Sequence, residues 1–160
     1  MILEGFGEQI KVEDGVLAEI RQHVQTSASD LEAGGVLMGR EPVDGALIVV
    51  DHITVPMPKD GRGRRFFERR DKGHLRLYER LNHKCNIYAY VGEWHTHSQP
   101  IPSPSGKDLS NWGRIRSIDD ARSVQYHVIA GLLRIGFWSC GPERSDIRSI
   151  GSFDWGDLGL

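Results

Sequence analysis

The sequence predicts an α/β layer fold. Segments with helical periodicity alternate with apolar, β-branched runs along the whole chain. No internal repeat or low-complexity linker divides the 160 residues. A chain of this length suits one domain, so residues 1–160 are predicted to form a single domain that buries its own core.

The first elements are predicted to be one helix and two strands. Asp14 provides a helix start, and three apolar residues then recur on one helical face: Leu17, Ile20 and Val24. This helix is predicted to end near residues 27–29. The apolar runs 32–40 and 46–53 predict neighbouring strands joined by a turn at 42–45.

The middle of the chain is predicted to alternate loops with regular elements. Residues 56–66 combine proline, glycine and arginine, which predicts an exposed loop. Residues 72–82 place apolar side chains on one helical face. Residues 86–92 carry apolar side chains at both odd and even positions, which predicts a central strand covered on both faces. A proline-rich loop at 99–104 precedes a helix predicted over residues 105–117.

The last part of the chain is predicted to add two strands, at 124–130 and 132–138. A tight turn at Gly131 joins them. Residues 149–160 show no pattern that assigns them to a helix or a strand.

Composition and charge exclude several classes of protein. The formal net charge of −2 gives no overall attraction to nucleic acid or to anionic membranes, so neither is an expected partner. The N-terminus lacks the features of a signal peptide, and no stretch approaches 18 apolar residues. Cys85 and Cys140 lie far apart and form no CxxC pair, which argues against a disulfide framework. A cytoplasmic protein is therefore predicted.

Two histidines followed by a helix start are the strongest functional signal. If the central strand continues to His97, then Glu93, His95 and His97 share one face, about 6.6 to 6.8 Å apart per step. Asp108, in the first turn of the next helix, supplies an oxygen ligand, with the hydroxyl of Ser105 beside it. Three protein ligands leave a fourth tetrahedral position open, which is typical of a catalytic zinc site.

Each part of this pattern has a structural alternative. A His-x-His pair on an exposed strand is common without a metal ion. Ser105 and Asp108 also have the spacing of a helix N-cap and an acidic residue that complements the helix dipole. A capped helix start would hold both side chains rigidly, so the two roles are compatible. The combination is far more specific than its parts.

A hydrolytic zinc site also needs a carboxylate that moves protons between water and the leaving amine. Glu93 shares the face of the two histidines. Glu32 opens the glycine-rich strand and would reach the metal only if that strand lies alongside. The spacing of residues alone leaves both candidates open.

The motif resembles that of the JAMM metalloproteases, also called JAB or MPN proteins. Their pattern is a glutamate, a variable gap, His-x-His, seven residues, serine, two residues and aspartate. This chain has His95-Thr96-His97, seven residues, Ser105, two residues and Asp108. The upstream E-x-x-G-x-x-x-G-like strand of the family corresponds to residues 32–39. Every fixed spacing therefore matches.

The resemblance implies a mixed β-sheet flanked by helices, of the cytidine-deaminase-like type, and a Zn²⁺-dependent peptidase. It implies three zinc ligands: His95, His97 and Asp108. Glu32, and not Glu93, would be the acid/base that activates water. Ser105 would donate its hydroxyl to the oxyanion of the tetrahedral intermediate.

A narrower likeness is to the short prokaryotic JAMM proteins of anti-phage operons. It is carried by residues 92–97 and by Phe67, His74 and Trp112. This likeness implies the isopeptidase that accompanies cyclic-oligonucleotide signalling (CBASS), which removes a cGAS/DncV-like nucleotidyltransferase from its target amines. One alternative is a deconjugase or processing protease for a bacterial ubiquitin-like modifier in a related operon. A non-catalytic MPN scaffold should have lost a ligand, whereas every ligand is present here.

One basic cluster precedes the metal motif: Arg62, Arg64, Arg65, Arg69, Arg70 and Lys72. Three interpretations are open, namely a solvated loop, a contact surface for an acidic protein, and a nucleic-acid contact. The near-neutral charge of the chain weakens the last of these. If the substrate is an extended tail that pairs with a strand edge, this cluster is the candidate for a flanking wall of the site.

Overall fold

The computed structural model describes residues 1–40, 47–118, 123–143 and 145–160. The elements in chain order are β1 (Ile2–Gly5), β2 (Glu8–Val12), α1 (Asp14–Gln22), β3 (Gly34–Arg40), β4 (Leu47–Ile53), β5 (Gly61–Gly63), β6 (Phe66–Glu68), α2 (Gly73–Cys85), β7 (Tyr88–Thr96), α3 (Gly106–Ile118), β8 (Gln125–Ala130), β9 (Arg134–Cys140) and β10 (Ile147–Asp154).

Within these residues, eight of the ten strands form one mixed sheet in the order β1-β2-β4-β3-β7-β8-β9-β10. The pairs β2–β4 and β7–β8 are parallel, and the other neighbours are antiparallel. Strands β5 and β6 form a separate hairpin. The predicted α/β fold, a mixed sheet flanked by helices, is confirmed.

Helices cover both faces of the sheet. Helix α1 buries three apolar residues in the larger core cluster: Val16, Leu17 and Ile20. A smaller cluster lies beneath α3: Trp112, Ile129, Trp138 and Cys140. Successive residues of a strand point to opposite faces, and Val128 and Ile129 of β8 belong to different clusters. Helices α1 and α3 therefore lie on opposite sides of the sheet.

The first helix is shorter than its apolar pattern predicts. It ends at Gln22, so the prediction of an end near residues 27–29 is wrong. Side-chain hydrogen bonds explain the difference, because Nε2 of Gln25 donates to the carbonyls of Asp30 and Arg64. These bonds hold the segment after α1 as a turn against the hairpin.

The prediction of a loop over residues 56–66 is wrong in part. Residues 61–63 and 66–68 pair as the hairpin β5–β6, with Arg62 opposite Phe67. Three-residue strands are too short to show a period, so the sequence pattern missed them. The carbonyl of Gly63 also accepts a hydrogen bond of 2.8 Å from the backbone N–H of Glu32, which anchors the hairpin to the start of β3.

Other differences lie at the ends of elements. Strands β1, β2 and β10 have no counterpart among the predictions. The register of β10 shifts between Ser149 and Gly151, which interrupts the alternation that would reveal a strand. The strand predicted from residue 132 begins at Arg134. The turn predicted at 42–45 lies outside the described residues.

A buried polar network secures the chain between β4 and α2. It consists of Thr54, Asp60 and His74. The imidazole of His74 lies 2.5 Å from Oγ1 of Thr54 at Nδ1 and 2.9 Å from Oδ2 of Asp60 at Nε2. The side chains of His74 and Asp60 are both fully buried. The network therefore links helix α2 to the hairpin segment and to the end of β4.

Asp60 receives further hydrogen bonds from the backbone. The N–H groups of Arg70 and Asp71 donate to Oδ1, and that of Met57 donates to Oδ2. Burial by itself raises the pKa of Asp60, but these backbone donors and His74 outweigh it and lower the pKa below its usual value. The carboxylate is thus held in its charged form.

None of the helices in the described ranges is both long enough and apolar enough to cross a bilayer.

Candidate active site

The pairing of β3 with β7 places Glu32 beside the two histidines. Gly34 lies opposite His95 in the antiparallel register. The pairing continues beyond β3, because the N–H of Thr96 donates to the carbonyl of Ala33. By the same register, Glu32 lies opposite His97. Two residues that are 65 positions apart in the chain therefore meet at one end of the sheet.

His95, His97 and Asp108 converge on one point. The two Nε2 atoms are 3.0 Å apart, and they lie 3.4 and 3.5 Å from the oxygens of Asp108. Ligands of a tetrahedral zinc ion with bonds of about 2.0 to 2.1 Å would be separated by about 3.3 Å. The three side chains thus have the chemistry and the spacing of a three-ligand metal site, and all three are partly buried.

Gln99 orients His97. Nδ1 of the imidazole lies 3.3 Å from Oε1 of the Gln99 side chain, which also accepts a hydrogen bond from the N–H of Ser103. An amide oxygen only accepts, so Nδ1 carries the proton and Nε2 keeps its lone pair for an ion. Gln99 therefore belongs to the candidate site, and the sequence analysis did not identify it, although it lies only two positions after His97.

Ser105 and Asp108 cap helix α3 reciprocally. Oγ of Ser105 accepts from the backbone N–H of Asp108, and the Asp108 carboxylate accepts from the backbone N–H of Ser105 at 2.7 Å. The Ser105 hydroxyl also donates to Oδ2 of Asp108 at 2.6 Å. The structural interpretation of this pair is therefore confirmed, and the cap fixes the carboxylate beside the histidines.

The charges of the site stabilise one another. Burial by itself raises the pKa of Asp108, but the neighbouring imidazoles of His95 and His97 and the hydrogen bond from Ser105 lower it well below its usual value. Burial lowers the pKa of His97, and the neighbouring carboxylate of Asp108 reverses that effect and raises it. A strongly ionised aspartate facing two imidazoles is a suitable ligand set for a divalent cation.

Glu32 has the environment of a general base. Its side chain is buried at the floor of the cleft, and burial is the largest cause that raises the pKa of its carboxyl to about 7. The nearby Asp108 carboxylate adds to this increase, whereas His97 and Lys107 oppose it. A pKa near neutrality lets one group accept and return a proton within a catalytic cycle.

Glu93, the other candidate base, is held by an ion pair. Nε and Nη2 of Arg69 donate to Oε1 of Glu93 at 3.1 and 2.7 Å. Glu93 and His95 of β7 and His97, the residue that follows the strand, line one cleft, as the predicted shared face requires. Arg69 already occupies the carboxylate of Glu93, so the geometry favours Glu32 as the base.

The metal-ligand cluster lies in a cleft of about 840 Å³. One wall is the segment from Arg65 to Arg69, which includes β6, and another wall is the N-terminal part of α3 up to Arg114. Two glycines of β3 allow close packing at the floor. A Cβ atom on Gly34 would lie 2.4 Å from the Phe67 ring, and one on Gly35 would lie 1.9 Å from the carbonyl oxygen of Thr54.

The five predicted site residues are brought together in this cleft: Glu32, His95, His97, Ser105 and Asp108. The basic cluster is divided. Arg65 and Arg69 line the cleft. Arg62 does not line it, and its Nε donates to the carbonyl of Glu32 at 2.8 Å. Only part of the predicted flanking wall therefore faces the site.

Comparison with known proteins identifies one family and several similar relatives. Residues 13–140 match the family of prokaryotic homologues of the JAB domain. A relative from Pseudomonas aeruginosa, named CD-NTase/cGAS isopeptidase, is 44% identical over 116 residues, which are 72% of each chain. A relative from Vibrio cholerae with the same name is 34% identical over 114 residues, 71% of this chain and 69% of the relative.

Solved structures share the fold at low sequence identity. The solution structure of a protein from Desulfitobacterium hafniense is 17% identical, covers 88% of each chain and has a TM-score of 0.56. The solution structure of a protein from Salinibacter ruber is also 17% identical over 88% of each chain, with a TM-score of 0.55. At this identity the likeness shows the fold alone.

Proposed function

The chain belongs to the family of prokaryotic homologues of the JAB domain, and from this membership and the geometry of its site we propose that it is a zinc-dependent isopeptidase. The observation that carries the proposal is the convergence of His95, His97 and Asp108 beside the buried carboxylate of Glu32. Three ligands and one adjacent base are the minimum set for metal-assisted hydrolysis of an amide.

Zn²⁺ held by His95, His97 and Asp108 would act as a Lewis acid on the scissile carbonyl and lower the pKa of the attacking water. Glu32 takes a proton from that water and delivers it to the leaving amine. Its raised pKa, about 7, makes both transfers accessible near neutral pH. Gln99 keeps the proton of His97 on Nδ1, which leaves Nε2 as the ligating atom.

Ser105 is the proposed hydrogen-bond donor to the oxyanion of the intermediate. Its hydroxyl already points into the metal-ligand cluster, where it donates to Oδ2 of Asp108. Rotation about χ1 redirects this donor to the oxyanion that develops as water adds to the carbonyl.

The substrate class follows from the relatives. Proteins named CD-NTase/cGAS isopeptidase match this chain at 44%, 30% and 34% identity. We therefore propose that the bond cleaved joins the C-terminus of a cGAS/DncV-like nucleotidyltransferase to an amine of a target protein, within a CBASS anti-phage system.

The test uses nucleotidyltransferase and ubiquitin-like fusions with a reporter protein attached to the C-terminal tail. The wild-type protein is expected to release the reporter from the nucleotidyltransferase fusion, and a chelator should abolish release until Zn²⁺ is restored. Preferential cleavage of the ubiquitin-like fusion would instead support the deconjugase of a related operon.

The same assay separates the two candidate bases. Glu32→Gln is expected to abolish release, whereas Glu93→Gln, a matched change on the neighbouring strand, should retain measurable activity. Full activity of Glu32→Gln would contradict the proposed mechanism.

A further inference from the structure

The cleft carries cations that its own carboxylates do not neutralise. Arg69 is paired with Glu93, and Arg70, just outside the cleft, is paired with Glu68. Across the described part of the chain, three other cationic side chains line the cleft and form no ion pair with an acidic side chain: Arg65, Lys107 and Arg114. Lys107 interacts with Glu32 at longer range. The only side-chain acceptor for Arg114 in the same part of the chain is the neutral amide of Asn111.

The cleft's acidic residues are already committed. Glu68 and Glu93 are held by arginines. Asp108 contacts both histidines and Ser105. Glu32 is buried at the floor of the cleft and forms no ion pair with any of the three cations among the described residues. The three unpaired cations are therefore available to a ligand.

These cations are arranged along one path. Lys107 and Arg114 are seven residues apart on α3, so they lie on one helical face with about 10 Å of rise between them. Lys107 also reaches the opposite wall, because its Nζ lies 5.8 Å from the ring centroid of Phe66, the neighbour of Arg65. An extended chain rises about 3.3 Å per residue, so this path spans roughly three residues of a bound tail.

We propose that the cleft selects protein tails that carry acidic side chains within about three residues of the scissile bond. This inference rests on the proposed isopeptidase function and adds a specificity to it. Arg65 and Arg114 are the specificity-determining residues, and Lys107 contributes beside the metal-ligand cluster. Nucleic acid is a less suitable ligand, because the formal net charge of −2 gives the chain no overall attraction to a polyphosphate backbone.

Binding is measured first, so that the result does not depend on turnover. A fluorescein-labelled tail peptide with two acidic residues is compared with the same peptide carrying asparagine and glutamine at those positions, by fluorescence polarisation with the full chain. The acidic peptide is expected to bind at least about fivefold more tightly at low salt, which corresponds to one well-placed ion pair. The difference should diminish at high salt.

Arg64 provides the matched control. It is exposed and adjacent to Arg65 but does not line the cleft. Arg65→Glu and Arg114→Glu should each abolish the preference for the acidic peptide, whereas Arg64→Glu should retain it. A substrate in which lysine replaces the acidic residues should be bound better by Arg65→Glu than by the wild type.

Three results would overturn the inference. One is equal binding of the acidic and amide peptides, and another is an equal loss in Arg64→Glu and Arg65→Glu. The third is stronger competition by a single-stranded oligonucleotide than by the acidic peptide. A different result would contradict the isopeptidase proposal alone. In that case no fusion is cleaved in a chelator-sensitive manner, although acidic peptides still bind.

Discussion

The molecule contains two clusters built from the same chemical groups. The buried polar network joins an imidazole, a carboxylate and a hydroxyl in Thr54, Asp60 and His74. The metal-ligand cluster has two imidazoles and a carboxylate, with the hydroxyl of Ser105 beside them. Residue type alone does not distinguish them.

The two clusters differ in whether all their polar side-chain atoms have hydrogen-bond partners, and we call a cluster saturated when they do. Each oxygen of Asp60 accepts two N–H donors, and both ring nitrogens of His74 have a partner. In the metal-ligand cluster, Nε2 of His95 and Nε2 of His97 face each other at 3.0 Å. Two imidazole lone pairs directed at one point repel unless a cation or proton lies between them. A saturated cluster stabilises the fold, whereas a convergent and unsaturated one binds a ligand.

The largest effect should come from removal of one ligand of the unsaturated cluster. His97→Ala is expected to abolish stoichiometric zinc binding and to lower kcat/KM by more than about 10³-fold, because a two-ligand site no longer holds the ion. The metal content measured by mass spectrometry and the cleavage rate test this. The free energy of unfolding of the chelator-treated protein should change by about 1 kcal/mol or less. Zinc retention at full stoichiometry would contradict the ligand assignment.

Disruption of the saturated network should have the opposite profile. Asp60→Ala leaves the imidazole of His74 and several backbone N–H groups buried without their acceptor. The free energy of unfolding in urea is therefore expected to fall by about 3 to 5 kcal/mol. The folded fraction should still bind one zinc ion. A variant with normal stability and reduced zinc content would show that the network belongs to the metal site.

Ser105 lies between these two cases, because it both caps a helix and points into the metal-ligand cluster. Ser105→Ala is expected to lower the cleavage rate about 10²- to 10³-fold and to reduce stability by about 1 kcal/mol. Ser105→Gly is the matched control, because glycine retains most of the capping preference without the hydroxyl. The two variants should lose equal activity but differ in thermal stability. Near-normal activity in Ser105→Gly would assign the serine to capping alone.

The smallest expected effect is the loss of stability at low pH that comes from Asp60 in the buried polar network. The pKa of Asp60 is lower in the folded protein than in the unfolded chain, so the folded state binds fewer protons. The stabilisation is fully present above the unfolded pKa of about 4 and is lost as the pH falls through the lower, folded value. Urea unfolding of chelator-treated protein between pH 3 and 6 should show this loss, with a slope of at most about 1.4 kcal/mol per pH unit. Asp60→Asn should remove that component, and an unchanged slope would contradict it.

The parts of the site that were predictable from the sequence are the local ones. The alternation of β7, continued by one residue, places His95 and His97 on one face, and a helix cap fixes Asp108 near Ser105. Both depend on neighbours in the chain. The choice of Glu32 came only from the resemblance to the JAMM family, because it depends on the pairing of β3 with β7.

Features that depend on distant contacts were not predictable. The ion pair that occupies Glu93 requires Arg69, 24 residues away in the sequence. The hairpin was predicted as a loop because its stability comes from packing and from its anchor on Glu32, not from a periodic pattern. The network of Asp60 and His74 likewise depends on partners spread over residues 54–74.

The hydrogen bonds that join the β5–β6 hairpin to Glu32 also make the backbone amide of Glu32 a reporter of hairpin opening. The N–H of Glu32 donates to Gly63, and its carbonyl accepts from Nε of Arg62. Deuterium can replace that amide proton only when the hairpin separates from the chain before β3. The exchange rate at Glu32 therefore measures how often the wall of the cleft opens, and every such opening also frees the backbone of the residue that must carry the proton.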